Sequence, residues 1–238
     1  MIIKPPRTRR WRDTFIQRID GTHGPCALCG HYSKLTDDHI PPASAGNFDR
    51  WNARSYLAAS TANQDLLYGR RFNSGVRFRT LCADCNNGLG AKEDQTIAAF
   101  FADVKKLVES RIILTSTVKI TTKPNQLYKG LMAHLVAAND NGIPSAFDIE
   151  ARDLFFGRKA LRSSTWSLFY WIFVGPELFI MRNAYHAVWH PIVELRPIVL
   201  LKLYPLAFMF VQEPWFLGVP NMRSYLREPG RCGCGGAN

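Results

Sequence analysis

The chain has 238 residues, of which 47% are hydrophobic and 21% charged, so it can bury a core and general disorder is excluded. This length allows one large domain or two small ones. Lys and Arg number 30 against 19 Asp and Glu, and the formal net charge of +11 favours a polyanionic partner. No membrane span is predicted, because the most apolar region, residues 197–211, is interrupted by Lys202 and Pro205.

Residues 1–24 are predicted to form a basic arm, because the first 18 residues carry six Lys or Arg and a single Asp. Such an arm is typical of segments that follow a phosphate backbone. The arginines assigned to nucleic-acid contact here are Arg7, Arg9 and Arg10. No apolar segment of the kind that a secretory signal needs follows them, so a cytoplasmic protein is expected. A mitochondrial presequence is the alternative.

Two Cys-x-x-Cys pairs follow the arm, and their four members are Cys26, Cys29, Cys82 and Cys85. Two such pairs separated by a folded insertion predict one tetrahedral zinc ion. Four thiolates leave no open coordination position, so this zinc is predicted to be structural. A redox role is the alternative, although redox motifs occur singly. Cys232 and Cys234 lie in a glycine-rich tail at a different spacing and are expected to stay outside the site.

Short strands are predicted between the cysteine pairs. Leu35–Asp38 is the first, ending at His39, and Pro41 and Pro42 then stop regular structure. Val76–Thr80 alternates apolar and basic residues, which predicts a strand with one cationic face.

Helices are predicted around and after the second cysteine pair. One spans Ala53–Tyr68, a second begins near Cys82 and either continues through Gly90 or restarts after it, and a third covers Leu127–Ala138. Residues 146–238 look mostly like strand and predict an antiparallel sheet packed on the helices. The runs read as strands are Trp166–Val174, Glu177–Met181, Ile192–Leu195, Ile198–Tyr204 and Phe208–Gln212. The chain is therefore expected to be α+β.

The dipeptide Asp38-His39 lies between the cysteine pairs. An imidazole can take a proton from water near neutral pH, and a neighbouring carboxylate can hold Mg²⁺ or Mn²⁺. Alone, such a pair is more often structural. The order Cys-x-x-Cys, Asp-His-Ile-Pro-Pro, Cys-x-x-Cys-Asn-Asn, over about residues 25–95, resembles the HNH or ββα-metal endonucleases.

The resemblance implies an N-terminal ββα-metal zinc-knuckle module in residues 25–120. It implies that His39 is the general base and that Asp38 and Asn86 hold one catalytic Mg²⁺ or Mn²⁺. Asn86 departs from the pattern that names the family, where a His follows the second pair, and is similar to the endonuclease VII type of phage resolvase. A helix cap is the other role considered for Asn86.

Four further polar residues are assigned supporting roles near the metal or the base: Asp37, Asn73, Asn87 and Asp94. A strand-end carboxylate explains Asp37 equally well, and a solvated helix face explains Asp94. Four arginines before or within the second strand are assigned to phosphate contacts, with a solvated face as the alternative: Arg70, Arg71, Arg77 and Arg79.

The expected function is a metal-dependent DNA endonuclease, in a phage or anti-phage defence context. Residues 121–238 are expected to be a C-terminal α/β domain, to which no motif assigns a role. One alternative is a non-catalytic zinc-knuckle module that binds nucleic acid or a partner. Another is an effector nuclease that cuts only after a regulatory protein binds. Cutting both strands would suit a homodimer, whereas a monomer could nick one.

Overall fold

A computed structural model describes residues 22–53, 70–110, 119–139, 143–190, 192–212 and 218–227. The helix predicted over Ala53–Tyr68 and the basic arm up to residue 21 lie outside these ranges, as do Cys232 and Cys234. The described elements combine three α-helices with antiparallel sheets, as the expected α+β class requires.

A three-stranded antiparallel sheet forms the N-terminal part, in the order β1-β2-β5. Its strands are β1 (His23–Pro25), β2 (Tyr32–His39) and β5 (Arg77–Cys82), and the two-stranded sheet of β3 (Trp51–Ala53) and β4 (Arg70–Phe72) lies between β2 and β5 in the chain. The strands predicted on either side of the insertion are thereby confirmed. In the β2–β5 pair, Leu35 lies opposite Cys82 and His39 lies opposite Arg77. This pairing places the Asp-His dipeptide at one end of the hairpin and a cysteine at the other.

Helix α1 (Ala83–Glu109) begins directly after β5 and runs for 27 residues without a break at Gly90. Its first turn is capped by Cys82, whose sulfur accepts a hydrogen bond from the backbone N–H of Cys85. Its buried face ends in Phe100, Phe101 and Val104, which belong to the apolar residues that recur at helical spacing in the sequence. One continuous helix therefore connects the cysteines to the core.

Helix α2 (Pro124–Ala137) confirms the third predicted helix. Helix α3 (Ala146–Phe155) opens the segment that was expected to be mostly strand, before the first of the predicted strand runs, and it begins with a capping box. Ser145 accepts from the backbone N–H of Asp148, and the Asp148 carboxylate accepts in return from the backbone N–H of Ser145. A reciprocal cap of this kind starts a helix.

The C-terminal sheet is antiparallel, with four strands in the order β6-β9-β8-β7. The strands are β6 (Trp166–Ile172), β7 (Phe179–His190), β8 (Ile192–Leu203) and β9 (Leu206–Gln212). The runs Ile192–Leu195 and Ile198–Tyr204, predicted as two strands, belong to the single strand β8, which passes through Pro197. Pro197 pairs with Tyr185 of β7, while pairing with β9 begins only at Ile198. Its missing N–H therefore costs no bond to β9.

One hydrophobic core joins the helices to residues near both ends of the described part of the chain. Its buried residues run from Cys26 to Leu226 and include Phe208, against which Phe100 and Phe101 pack with ring centroids 6.4 and 5.8 Å apart. The core thus crosses the boundary expected between residues 120 and 121, and a division into two domains there stays a prediction. Within the described ranges, no helix has the length and apolarity that crossing a bilayer requires.

Candidate metal and catalytic site

The four cysteines of the two Cys-x-x-Cys pairs come together beside the start of α1. Their sulfur atoms all lie within 4.8 Å of one another, and Cys29 Sγ and Cys82 Sγ are 3.9 Å apart. Thiolates at about 2.3 Å from a tetrahedral zinc ion would be about 3.8 Å apart. The cluster can therefore hold a metal ion such as zinc, as the spacing predicted.

Backbone donors and burial set the charge state of this cluster. The backbone N–H of Cys82 donates to Cys26 Sγ over 3.3 Å. A hydrogen bond with the Cys85 thiol is the largest cause that lowers the pKa of Cys26 to about 4, and the same contact raises the pKa of Cys85. Burial raises the pKa of Cys29. A metal ion bound here would replace protons on the thiols, so its affinity would depend on pH.

His39 lies half-buried at the end of β2, where its ring is held by the bend that precedes β5. Its Nε2–H donates to the backbone carbonyl of Ser74 over 3.0 Å. Because a carbonyl can only accept, the proton is on Nε2 and the lone pair of the neutral ring is on Nδ1. Gly75 makes this approach possible: a Cβ at its φ of +80° would lie 2.7 Å from His39 Cδ2 and 2.1 Å from the carbonyl oxygen of Asn47.

Asn47 is a site residue that was not predicted from the sequence. Its side chain is fully buried and donates to the carbonyls of Pro41 and Val76 over 2.8 and 3.0 Å. Its oxygen accepts from the backbone N–H of Val76 at 2.8 Å. Asn47 therefore connects the segment that follows His39 to the segment that precedes β5. Asn73, the residue assigned to brace the base, is exposed, and the carbonyl that reaches His39 is that of the next residue, Ser74.

Asp38 points to the opposite face of β2 from His39, as adjacent residues of a strand do. Its side chain is buried, with 5% of the residue exposed. Its Oδ2 lies 3.3 Å from Nδ1 of His134, a fully buried histidine of α2. The Nε2 of His134 is 2.7 Å from Oδ1 of Asp94 on α1. Three elements thus converge on an Asp38–His134–Asp94 cluster.

His134 was also missed from sequence, although one signal was present. It is the polar member of an otherwise apolar buried run, residues 130–138, and a buried polar group needs a partner. Burial alone would lower the pKa of His134, but the charges of Asp38 and Asp94 outweigh it and raise the pKa to about 9. Asp94 contacts this histidine directly, and its assignment to a supporting role stays a prediction.

Asn86, in the first turns of α1, is anchored to β2 beside Asp38. Its amide nitrogen donates to Thr36 Oγ1 over 3.0 Å and to the backbone carbonyl of Asp37 over 3.3 Å. It is not the helix cap, because Cys82 occupies that position. The amide oxygen is not used in these bonds. Asn87 is exposed on the same helix.

The arginines assigned to phosphate contact are held in different ways. Arg79 places two nitrogens on the exposed Asp37 carboxylate, at 2.9 and 2.7 Å, and Arg77 hydrogen-bonds the Ser74 hydroxyl. The carboxylate of Asp37 also raises the pKa of Arg79. Arg70 and Arg71 lie in β4, and their side chains are outside the described part of the structure, as are the whole residues Arg7, Arg9 and Arg10.

Comparison with known proteins adds no assignment: no family model matches the chain, and neither a curated protein nor a solved structure does. The chemistry must therefore be argued from the geometry. One end of the β2–β5 pair presents an imidazole with a defined tautomer on one face of β2 and a buried carboxylate on the other, and the other end is attached to a cysteine cluster. Such an arrangement can remove a proton from water next to a bound cation.

Proposed function

We propose that the protein is a metal-dependent endonuclease of the HNH type that hydrolyses DNA phosphodiester bonds. The observation that carries the proposal is the hydrogen bond from His39 Nε2–H to the Ser74 carbonyl. It leaves the Nδ1 lone pair as the basic atom of the ring, which is what a general base needs. The strand–strand–helix order of β2, β5 and α1, with the cysteine cluster at its base, supports the assignment to this type.

In the proposed reaction, His39 Nδ1 accepts a proton from a water molecule whose oxygen attacks phosphorus. The bond from phosphorus to the 3′ oxygen breaks, and the leaving oxygen takes a proton from a second water molecule. The products are a 5′ phosphate and a 3′ hydroxyl, and the imidazolium returns its proton to solvent. The contact with Ser74 holds the imidazole in one orientation throughout, because the carbonyl accepts from Nε2–H in both the neutral and the charged ring.

The buried carboxylate of Asp38 fits a divalent cation. Its Oδ2 is shielded from solvent, and the partner that the described residues offer it is His134 Nδ1, at 3.3 Å. A buried carboxylate needs a cationic partner, which a protonated imidazole or a metal ion can supply. Asp38 and the amide oxygen of Asn86 are the residues proposed to hold Mg²⁺ or Mn²⁺, which prefer oxygen ligands. When bound, the cation would stabilise the negative charge that develops on the phosphate and the leaving oxygen.

Plasmid cleavage tests the proposal. Supercoiled DNA is incubated with zinc-loaded protein and Mg²⁺ or Mn²⁺, and nicked and linear products are measured over time. We expect cleavage by the wild type and a loss of at least about 100-fold in His39→Ala, the usual contribution of a general base. His31→Ala is the matched control, since His31 is an exposed histidine in the turn before β2, and it should cut normally.

Intact plasmid after incubation of folded wild type with either metal would contradict the proposal. DNA binding without cleavage would then favour the alternative of a non-catalytic zinc-knuckle module. Cleavage that begins only when a protein partner is added would favour the effector nuclease. Circular dichroism and zinc content of each variant show that the differences do not come from unfolding.

A further inference from the structure

Two buried polar atoms face each other between β2 and α2. Asp38 Oδ2 and His134 Nδ1 are 3.3 Å apart, within ion-pair distance, and among the described residues neither atom has a hydrogen-bond partner of good geometry. The side chains are 6% and 0% exposed, so bulk water does not reach them. A buried contact of this kind has two explanations: a protonated imidazole that pairs with the carboxylate, or an ion that both atoms bind.

Asp94 determines which nitrogen of His134 is available. The Asp94 carboxylate lies 2.7 Å from Nε2 and, when ionised, can only accept, so Nε2 carries a proton. In the neutral ring the lone pair is then on Nδ1, the atom that faces Asp38. Histidines that bind metals almost always donate their other ring N–H to a carboxylate or a carbonyl, which is the arrangement of Asp94 and His134.

The spacing of the two atoms suits neighbouring ligands of one cation. Ligand atoms about 2.1 Å from an octahedral cation, on adjacent vertices, are about 3.0 Å apart. The observed 3.3 Å between Asp38 Oδ2 and His134 Nδ1 lies close to this value. These atoms come from β2 and α2, so the pair exists only because α2 packs against the hairpin.

We infer that His134 Nδ1 and Asp38 Oδ2 are ligands of the same divalent cation, with Asp94 orienting the imidazole. The inference rests on the proposed function only in taking this cation to be the catalytic one. One imidazole and one carboxylate bind Mn²⁺ more tightly than Mg²⁺, because nitrogen ligands favour the transition metal. The helix after the proposed nuclease module therefore supplies part of its metal site.

The competing explanation is a structural triad. In it, a doubly protonated His134 bridges the carboxylates of Asp38 and Asp94 and binds no metal. The two explanations differ in whether a cation has access to Nδ1, so metal binding separates them directly.

The test is Mn²⁺ binding to zinc-loaded protein, by calorimetric titration and by electron spin-echo spectroscopy, which detects ¹⁴N coordinated to Mn²⁺. We expect one Mn²⁺ site with a ¹⁴N signal in the wild type. His134→Leu should lose the signal and weaken binding at least about tenfold. His134→Asn, whose amide oxygen lies near the position of Nδ1, should recover part of the affinity without ¹⁴N coupling. His39→Ala should keep both, because His39 is not a proposed ligand.

Asp94→Asn supplies a second variant if His134→Leu does not fold. It keeps an acceptor for Nε2–H but removes the charge, and Mn²⁺ binding should weaken by about tenfold, the lower range for outer partners of metal ligands. A wild type that binds no Mn²⁺, or a ¹⁴N signal that survives His134→Leu, would overturn the inference. If the ¹⁴N signal is present but DNA stays intact, the proposed function fails and the metal site stands. If the wild type cleaves DNA in a His39-dependent way but Mn²⁺ shows no ¹⁴N coupling, the proposed function stands and the inferred metal ligand His134 fails.

Discussion

Asn47 and Val76 are joined by a pair of hydrogen bonds that hold the loop after His39 against the start of β5. The Asn47 amide donates to the Val76 carbonyl at 3.0 Å and accepts from its N–H at 2.8 Å, and the whole contact is buried. A third bond reaches the carbonyl of Pro41. The loop and the bend at residues 73–75 are therefore one rigid unit around the imidazole.

Asn47→Ala should lower the free energy of unfolding by about 2 to 4 kcal/mol, because the buried N–H of Val76 and the carbonyl of Pro41 lose the Asn47 side chain as a partner. The Val76 carbonyl keeps its bond from the backbone N–H of Ile40, at 3.1 Å. Cleavage should fall more than stability alone explains, since the bend that carries Ser74 loses its anchor. Chemical denaturation and plasmid cleavage measure the two effects. The matched control is Asn73→Ala, an exposed change in the same bend, which should alter stability by less than about 0.5 kcal/mol. Equal effects of the two variants would contradict the role of Asn47.

Gly75→Ala should disable the site through a steric clash. A methyl group there meets the Asn47 carbonyl at 2.1 Å and His39 at 2.7 Å, in addition to the strain of a φ of +80°. Gly157→Ala isolates the strain, because Gly157 has a φ of +72° and an added methyl group there would have nothing within 4 Å. Gly157→Ala should lower the free energy of unfolding by about 1 kcal/mol. Gly75→Ala should lower it clearly more and should also abolish cleavage. Similar melting temperatures for Gly75→Ala and Gly157→Ala would show that the loop containing Asn47 moves to accommodate the added methyl group.

Cys82→Ser should remove the metal from the cysteine cluster while preserving the start of α1. Serine is itself a preferred N-cap residue, so the helix cap survives the loss of the thiolate. Elemental analysis should find about one zinc per chain in the wild type and almost none in the variant. Cys232→Ser serves as the control and should keep its zinc. An unchanged zinc content in Cys82→Ser would show that the metal is bound elsewhere.

Asp37→Asn should strengthen DNA binding, because it removes the negative charge that holds the Nε and Nη2 atoms of Arg79. Asp103→Asn makes the same change in net charge at an exposed position on α1 and should have a smaller effect. Adding Arg79→Ala to Asp37→Asn should abolish the gain. Fluorescence anisotropy over a range of salt concentrations measures the affinities. Equal affinity of the Asp37 and Asp103 variants would indicate that this face does not contact DNA.

Arg182→Met should destabilise the protein by about 3 to 5 kcal/mol, because it leaves the fully buried Asp148 carboxylate without its cation. The pair is 2.6 Å apart, with side chains 7% and 0% exposed. In the control, Arg158→Met, the lost pair with Asp153 is half exposed and worth under about 1 kcal/mol. Denaturant titration compares the two. A small effect at Arg182 would mean that Asp148 is solvated or paired in another way.

Local patterns predicted those parts of the molecule whose signal is itself local. The cysteine spacing, the strand ending at His39 and the helix starting at Cys82 each depend on a few consecutive residues. His134 and Asn47 could not be found in this way, because each acts through partners distant in the chain and neither belongs to a periodic pattern. Pro197 shows the same limit: whether a proline ends a strand depends on which neighbouring strand is present beside it.

Helix α1 connects the cysteine cluster to the C-terminal sheet. Its first turn carries Cys85, and further along it Phe100 and Phe101 pack on Phe208 of that sheet. By thermodynamic linkage, the binding free energy of an ion at one end contains part of the folding free energy of residues at the other. The dissociation constant of a metal ion at the cysteines would therefore depend on the entire core, and aromatic residues far from the ion would help to set it.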